Sequence, residues 1–403
     1  MTELTRRRWI AAAGTAAVAA SVPGPPVSAA PARLEVPPLP PAVKPDVYRD
    51  RQSRLRAAAK ARGWDALVVT PSTNLAYACG LSMSRSERLT ALLLFSDGPA
   101  VLVTPSFEES NVTRDATVDD VKTWKEEEDP IARVGKLLSK KTVGVEGSTA
   151  FSTASLLSAA AEAPTQDATA LFDALRAVKS DEELAFIKDA GRRTVVAITA
   201  THERLRRGMT EREVSEILSQ EFSKLGVHGD GLVQFGPSAA LPHGSPGDRE
   251  LARGDAVLID CGCRVRGYTS DVTRTVVFGA PSDELRKVYE IVDRAQTAGI
   301  DALEAGRTGE EVDRAARKVI EGAGYGAYFT HRLGHGLGMD GHEQPYLVRG
   351  NTKPLVAGNT VTIEPGIYLP GKFGVRIEDD YGVKEKGLAS LSVRPSELVV
   401  IKG

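Results

Sequence analysis

The sequence predicts an α+β protein whose folded part is divided into two domains. In the first half of the chain, short apolar strands alternate with helical patterns, which is typical of an α/β domain. In the second half, helices that open with capping boxes alternate with strand-like pieces, which favours helices covering a curved, mostly antiparallel sheet. A chain of 403 residues is also too long for one domain of ordinary size.

The composition indicates an ordinary soluble protein, with 42% hydrophobic residues, 26% charged residues and a formal net charge of −2. This balance gives no electrostatic reason to expect a nucleic acid or an anionic membrane as a partner. Three cysteines are too few, and odd in number, for a disulfide framework. Cys261 and Cys263 face the same side of a predicted strand, and we interpret them as small buried residues rather than metal ligands.

Residues 1–30 are not expected to belong to the fold. Thr5–Ile10 contains paired arginines, an apolar run follows over Ala11–Ala20, and Val27–Ala29 has a small-x-small cleavage pattern. The run is too short and too weakly apolar to span a membrane. The segment resembles a Tat export signal, which implies a periplasmic, cell-wall or extracellular protein without a membrane span. The alternative is an alanine-rich tail that happens to carry arginines. The segment that follows, residues 31–46, is rich in proline and is predicted to be a stiff spacer.

Residues 47–175 are predicted to form a smaller α/β domain. A charged helix is expected over Arg49–Arg62, and no cluster of histidines and carboxylates with ligand spacing occurs in this part of the sequence. We therefore expect this domain to shape a site or an interface rather than to perform the chemistry. The predicted strands cover residues 65–70, 91–95, 100–104 and 142–146.

Residues 176–403 are predicted to form the second domain, and three of its helices begin with capping boxes. Ser180–Glu183, Thr210–Glu213 and Thr308–Glu311 each place a hydroxyl residue three positions before a glutamate, so that both side chains can satisfy free backbone amides. A further helix is predicted over Asp283–Leu303. The polar residues of interest lie at the ends of strand-like pieces between and after these helices.

Five segments of this domain each contain one candidate metal ligand: Asp260, Asp271, His335, Glu364 and Glu378. Taken singly, each acid is more often a turn or cap residue than a ligand. Brought together, the four carboxylates would repel and protonate one another unless cations balanced their charge. Two divalent cations would do so, and an oxygen-rich set with one imidazole favours Mn²⁺, with Co²⁺, Fe²⁺ or Zn²⁺ as alternatives.

The segments VLIDCG, YTSDVTRT, GHGLGMDGHE, VTIEPGIY and VRIEDD resemble the five metal-binding motifs of the M24 metallopeptidases, in the same order. The resemblance covers about residues 178–402 and implies a pita-bread domain with a pseudo-twofold antiparallel sheet. Upstream, Asn74–Tyr77 and Ser86–Ala91 resemble the creatinase/prolidase N-terminal domain. This combination points to the branch of the family that contains the prolidases, or Xaa-Pro dipeptidases, and the aminopeptidases P.

The resemblance implies a role for each matching ligand. Asp260 would bind one ion, His335 and Glu364 the other, while Asp271 and Glu378 would bridge both. A water shared by the two ions would be the nucleophile. Glu364 would also take a proton from this water and pass it to the leaving nitrogen.

The resemblance also implies further residues that contact the substrate. His243 and His342 match two active-site histidines, which would hold the scissile carbonyl and the oxyanion of the transition state. His331 would contact the proline side of the substrate or, alternatively, make only a structural hydrogen bond. Arg376 would orient carboxylates or meet a substrate carboxylate, and Tyr381 is expected to be a second polar group near it.

The implied activity is the hydrolysis of Xaa-Pro bonds in proline-containing di- or oligopeptides by a homodimer or homotetramer. We favour a dipeptidase over an aminopeptidase P, because the short gap between Glu364 and Glu378 leaves little room for an insertion. A metal-free creatinase-type hydrolase and a non-catalytic pita-bread binding module are further alternatives. Both are disfavoured, since such relatives lose metal ligands and this sequence keeps all five.

Overall fold

A computed structural model describes residues 35–242, 244 and 247–402. The predicted leader, the start of the predicted spacer and His243 lie outside these residues. Among the helices that are described, none combines the length and the apolar character that a membrane span requires.

The smaller domain is a mixed six-stranded sheet covered by helices on both faces. Its strands are β1 (Ala66–Val69), β2 (Ala91–Phe95), β3 (Ala100–Pro105), β4 (Asp120–Trp124), β5 (Val143–Val145) and β6 (Thr165–Asp167). Its helices are α1 (Pro45–Ala61), α2 (Thr73–Cys79), α3 (Glu109–Asp115), α4 (Pro130–Leu138), α5 (Phe151–Ala161) and α6 (Thr169–Arg176), with a 3₁₀ turn over Ser106–Glu108. The strand order is β4-β3-β2-β1-β5-β6.

The central strand β1 shows why this part of the sequence is apolar without alternation. Leu67 and Val69 pack into the core on one face of the sheet, whereas Ala66 and Val68 pack into the core on the other. A strand buried on both faces needs apolar residues at every position. The four predicted strands are all confirmed, to within one residue at each end.

Helix α1 begins at Pro45, earlier than the predicted start at Arg49. Proline is favoured in the first turn of a helix, because its missing N–H would have no intrahelical partner there. The proline-rich composition before Val47 is therefore the reason why the first residues of the helix were not predicted from the sequence.

The larger domain repeats one arrangement, in which a pair of helices covers a five-stranded, mainly antiparallel sheet. Its helices are α7 (Asp181–Arg204), α8 (Glu211–Lys224), α9 (Asp283–Ala302) and α10 (Gly309–Gly322), with 3₁₀ turns over Gly236–Ala240 and Gly326–Tyr328. Its strands are β7 (Gly229–Phe235), β8 (Ala256–Val265), β9 (Tyr268–Thr269), β10 (Val272–Phe278), β11 (Gly334–Gly336), β12 (Glu343–Leu347), β13 (Thr360–Ile363), β14 (Gly366–Leu369), β15 (Phe373–Arg376), β16 (Asp379–Val383), β17 (Leu388–Ser390) and β18 (Val400–Ile401).

The two sheets have the strand orders β18-β10-β8-β7, with β9 attached to β8, and β12-β11-β13-β16-β17. The first sheet packs on α7 and α8, and the second packs on α9 and α10 together with the hairpin β14–β15. The α+β fold class is thus confirmed. Ser180, Thr210 and Thr308 form the three predicted capping boxes at the starts of α7, α8 and α10.

The cysteines have the structural role that their positions predict. Cys261 and Cys263 are buried in the core beneath α7 and α8, and neither forms a disulfide. Burial raises the pKa of both thiols, so these residues are neutral packing groups rather than metal-binding thiolates.

Candidate metal centre

The strands of both halves of the larger domain bring the five predicted ligands to one place. Asp260 lies within β8 and Asp271 directly precedes β10, so both belong to the first sheet. His335 is the middle residue of β11, Glu364 directly follows β13 and Glu378 directly precedes β16, so these three belong to the second sheet. The centre therefore lies between the two repeated halves.

The candidate ligand atoms form three overlapping groups, each with its atoms within 4.8 Å of one another. Glu378 belongs to two groups and Asp271 to two, so each of these carboxylates lies near more than one set of donors. The Nε2 atom of His335 is 3.3 Å from Oε1 of Glu364 and 3.7 Å from Oδ2 of Asp271. The groups are Asp260–Asp271–Glu378, His335–Glu364–Glu378 and Asp271–His335–His342.

The electrostatics of this cluster favour divalent cations. Burial, together with the charges of neighbouring carboxylates, raises the pKa values of Asp271 and Glu378 well above their usual range. Burial alone would also raise the pKa of Glu364, but the nearby His335 lowers it to about 2. Two divalent cations would balance four mutually repelling carboxylates, and oxygen and imidazole donors fit such ions. These residues could therefore hold metal ions.

Two glycines beside His335 allow the strands around the centre to approach closely. A Cβ atom on Gly334 would lie 2.0 Å from the carbonyl oxygen of Thr362, and one on Gly336 would lie 2.3 Å from that of Gln344. Neither position has room for a side chain. The glycines of this motif thus fix the packing of β11 between β12 and β13, which carries His335 into the centre.

Arg376 is buried and its hydrogen bonds are made within the protein. Its guanidinium donates to Oδ2 of Asp260 through a short contact, to Oγ1 of Thr273 at 3.1 Å, to the hydroxyl of Tyr368 at 2.9 Å and to the carbonyl of Pro242 at 3.3 Å. These contacts hold the Asp260 carboxylate in position. They favour the first of the two predicted roles of Arg376, the orientation of a carboxylate.

Tyr368 links Arg376 to His331 and was given no role by the sequence. Its hydroxyl accepts from Arg376 and lies 2.8 Å from Nε2 of His331, while Nδ1 of His331 donates to the carbonyl of Arg332 at 2.7 Å. These partners assign the tautomer of His331 with the proton on Nδ1, so Nε2 accepts from the Tyr368 hydroxyl. Burial raises the pKa of Tyr368 to about 12, which keeps this hydroxyl protonated at neutral pH.

Two further polar residues position the ligands and were also missed. Asp380 is buried, and its Oδ2 accepts a hydrogen bond of 3.0 Å from the backbone N–H of Asp271. Thr273 donates through Oγ1 to Oε2 of Glu378 at 2.5 Å. The motif VRIEDD contained the signal for Asp380, since it lies two residues after Glu378 and side chains alternate along a strand.

The remaining predicted residues are His342, Tyr381 and His243, and they do not all lie at the centre. His342 is brought to the centre, and its ring centroid lies 3.9 Å from that of His335. Tyr381 is placed in the apolar core of the second half, and its charged neighbours are Asp379, Arg394, Arg274 and Asp380. None of the described hydrogen bonds of Arg376 involves Tyr381, so a role of Tyr381 beside Arg376 stays a prediction. His243 lies outside the described residues.

Replacing Tyr368 with phenylalanine is expected to lower the free energy of unfolding by about 1–3 kcal/mol, because it leaves buried donors and acceptors of Arg376 and His331 unpaired. Urea denaturation of the Tyr368→Phe variant measures this change. Tyr381→Phe is the matched control, since that hydroxyl lies outside the network, and its effect should be clearly smaller. Equal effects of the two variants would show that the Tyr368 hydroxyl does not link the network.

A cluster of carboxylates and histidines between two repeated halves is typical of a metal-dependent hydrolase of the pita-bread class. Residues 185–385 match metallopeptidase family M24, and residues 51–178 match the creatinase/prolidase N-terminal domain. An uncharacterized peptidase from Staphylococcus epidermidis is 39% identical over 81% of this chain and 94% of its own length. The chain belongs to the M24 metallopeptidases and is a peptidase.

Solved structures of similar proteins agree with this fold. The dipeptidase PepE from Mycobacterium ulcerans is 36% identical, covers 90% of this chain and 100% of its own, and superposes with a TM-score of 0.85. The prolidase from Thermococcus sibiricus is 33% identical, covers 88% and 99%, and has a TM-score of 0.82. An X-Pro aminopeptidase from Thermotoga maritima is 31% identical, covers 86% and 100%, and has a TM-score of 0.77. The predicted pita-bread domain and the preceding creatinase-like domain are confirmed.

Proposed function

We propose that this protein is a dinuclear-metal exopeptidase that hydrolyses Xaa-Pro bonds, as an Xaa-Pro dipeptidase. The observation that carries the proposal is the pair of ligand groups that share Glu378, since such sharing is what two neighbouring cations require. The similarity to proteins described as a dipeptidase and a prolidase supports the substrate class. We infer a homodimer or homotetramer from the resemblance alone.

Mn²⁺ is the ion that we propose, with Co²⁺, Fe²⁺ or Zn²⁺ as alternatives, because carboxylate oxygens outnumber the imidazole among the donors. Asp260 would hold one ion, and His335 and Glu364 would hold the other. Asp271 and Glu378 would be shared between the two. When bound, two such cations supply an activated water and polarise the scissile carbonyl.

Glu364 is the residue that we propose moves the proton. Its Oε1 accepts a hydrogen bond of 3.1 Å from Thr362, and its Oε2 lies 3.9 Å from Nδ1 of His331. A carboxylate at this position could accept a proton from a nearby water and pass it on. A proton taken up at Oε2 would then be delivered to the leaving proline nitrogen.

Histidine side chains would hold the reacting carbonyl. His342 lies beside His335 and Asp271, and it would donate a hydrogen bond to the oxygen on which negative charge develops. From the resemblance, we propose that His243 also holds this carbonyl. His331, on the Glu364 side of the centre, is proposed to contact the proline side of the substrate.

Hydrolysis of Ala-Pro, Ala-Pro-Ala and Ala-Ala by the Mn²⁺-loaded protein tests this function. A dipeptidase is expected to cleave Ala-Pro and to leave the tripeptide and the non-proline dipeptide nearly intact. Preference for Ala-Pro-Ala would identify an aminopeptidase P instead. Because four of the five N–H donors of Arg376 are used within the protein, we expect a dipeptidase of this kind to recognise the free substrate carboxylate mainly through other groups.

We also propose that residues 1–30 direct export of the folded protein. The support is the arrangement of paired arginines, an apolar run and a small-x-small pattern. A fusion of this leader to a reporter protein should be exported, and the double change Arg6→Lys and Arg7→Lys should retain the reporter inside the cell. Export that survives the double change would contradict a twin-arginine signal.

A further inference from the structure

The loop that carries His342 is formed by residues 337–342 and connects β11 to β12. We refer to it as the His342 loop. At its start, the backbone N–H of Thr269 donates to the carbonyl of Gly338 at 2.8 Å, and Gly338 N–H donates to the carbonyl of Asp340 at 3.0 Å. His342 itself is exposed. Its ring packs against that of His335, and the residues on either side of His342 set the course of the loop that carries the ring.

Two carboxylates flank His342, and both are held by buried cations. Nη2 of Arg176 lies 2.6 Å from Oδ2 of Asp340 and 2.6 Å from Oε2 of Glu343, and Nζ of Lys179 lies 2.5 Å from Oε1 of Glu343. The side chains of Arg176 and Lys179 are only 8% and 1% exposed. Two positive and two negative charges balance in this cluster. Charge-assisted hydrogen bonds of this kind are strong and directional.

The cluster extends into the smaller domain, which is the N-terminal domain of the chain. Thr73, the first residue of α2, donates through Oγ1 to Oδ1 of Asp340 at 2.6 Å. Nη1 of Arg176 donates to Oδ1 of Asn74 at 2.9 Å, and Asn74 donates to Oε1 of the buried Glu146 at 3.0 Å. Arg176 is itself the last residue of α6. Side chains of the N-terminal domain thus contact the residues on both sides of His342.

We propose that Arg176 and Thr73 are positioning residues for His342, through which the N-terminal domain of the same chain holds the imidazole beside His335 and Asp271. This proposal rests on the function proposed above for His342 at the scissile carbonyl. A hydrogen-bond donor accelerates a reaction only if it is already held where charge develops. A displacement of about 1 Å at such a group lowers the rate by roughly 100-fold.

The test is a double-mutant cycle with Ala-Pro as the substrate. Arg176→Met and Thr73→Val are each made in the natural sequence and in a His342→Ala background, and kcat, KM and metal content are measured. In the natural sequence, Arg176→Met is expected to lower kcat roughly tenfold or more, and Thr73→Val roughly threefold, with KM and metal content little changed. In the His342→Ala background, neither change should lower kcat further.

Thr104→Val is the matched control, because Thr104 hydrogen-bonds Thr90 within the sheet of the same domain and not the cluster. It should leave kcat unchanged in both backgrounds. Equal losses from Arg176→Met in both backgrounds would overturn the proposal, and so would the absence of a loss in the natural sequence. Thr73→Val removes no charge, so it keeps the test decisive if Arg176→Met fails to fold.

Hydrogen–deuterium exchange of residues 337–343 separates this proposal from the proposed function. Without any substrate, the Thr73→Val and Arg176→Met variants should exchange faster in the His342 loop than the natural protein, and Thr104→Val should not. Failure of the natural protein to cleave any proline peptide would refute the proposed function, while the exchange rates would still report on the loop. Unchanged exchange in both cluster variants would refute the positioning role.

Discussion

Glu378→Ala is expected to abolish peptidase activity and to remove most of the bound metal, while the protein remains folded. Glu378 belongs to two of the three groups of donors that could hold a cation, so its loss weakens both of those groups at once. Removal of a group that merely orients a ligand lowers metal affinity or activity by about 10–100-fold. The loss of a ligand shared by two ions should therefore be larger, roughly a thousandfold or more in kcat/KM. The measurement combines metal analysis by mass spectrometry with hydrolysis of Ala-Pro.

The Glu378→Ala variant should still fold, because the carboxylates of the cluster repel one another when no metal is bound. Burial, together with the charges of neighbouring carboxylates, raises the pKa of Glu378, so its removal relieves both a desolvation cost and a repulsion. His335→Ala is also expected to lose activity and metal, because His335 is a donor in two of the three groups. Glu385→Ala is the matched control, since Glu385 is an exposed acid a few residues along the chain. Normal hydrolysis by Glu378→Ala or His335→Ala would show that the metal centre has been assigned to the wrong residues.

Glu364→Gln is expected to lose activity while keeping much of its metal. Glutamine preserves an oxygen that can bind a cation, but its amide cannot accept and return a proton at neutral pH. General acid–base catalysis contributes about 10²–10⁴-fold, and the expected loss in kcat lies in this range. KM for Ala-Pro should change far less than kcat. Single-variant kinetics with parallel metal analysis check both expectations.

Glu378→Gln is the matched comparison for Glu364→Gln, because the chemical change is the same at a residue to which no proton transfer is assigned. Glu364→Gln should keep a larger fraction of its bound metal than of its activity. In Glu378→Gln, the bound metal and the activity should fall together. Parallel loss of metal and activity in both variants would indicate that Glu364 is a ligand only.

The parts of the site that could be predicted from the sequence are those that a short segment specifies by itself. Each ligand sits within a local motif, and the three capping boxes at Ser180, Thr210 and Thr308 are local as well. Tyr368 was missed for the opposite reason. Its role exists only because β14 and β15 pair, which places its hydroxyl against the Arg376 side chain.

Tyr381 and Asp380 are neighbours in β16, but their side chains point to opposite faces of the strand. Tyr381 follows Glu378 by three positions in a strand segment, and side chains that are an odd number of positions apart point to opposite faces. Arg376 and Asp380 are two positions from Glu378, and they do contact Asp260 and Asp271 of the centre. Strict use of the alternation would have placed Tyr381 in the core and Asp380 at the site.

The contacts around the His342 loop could not be predicted from the sequence. They join α2, the end of α6 and a loop that lies more than 160 positions further along the chain from Arg176. No motif of the sequence singles out Arg176 or Lys179. Only the packing of the two domains in one compact unit brings these side chains to Asp340 and Glu343.

The most direct test of the two-metal site is the rate of Ala-Pro hydrolysis as Mn²⁺ is returned to chelator-treated protein. The ligand groups that share Glu378 predict no activity without metal and a plateau at two ions per chain. Full activity after chelation, or a plateau at a single ion per chain, would contradict a dinuclear peptidase.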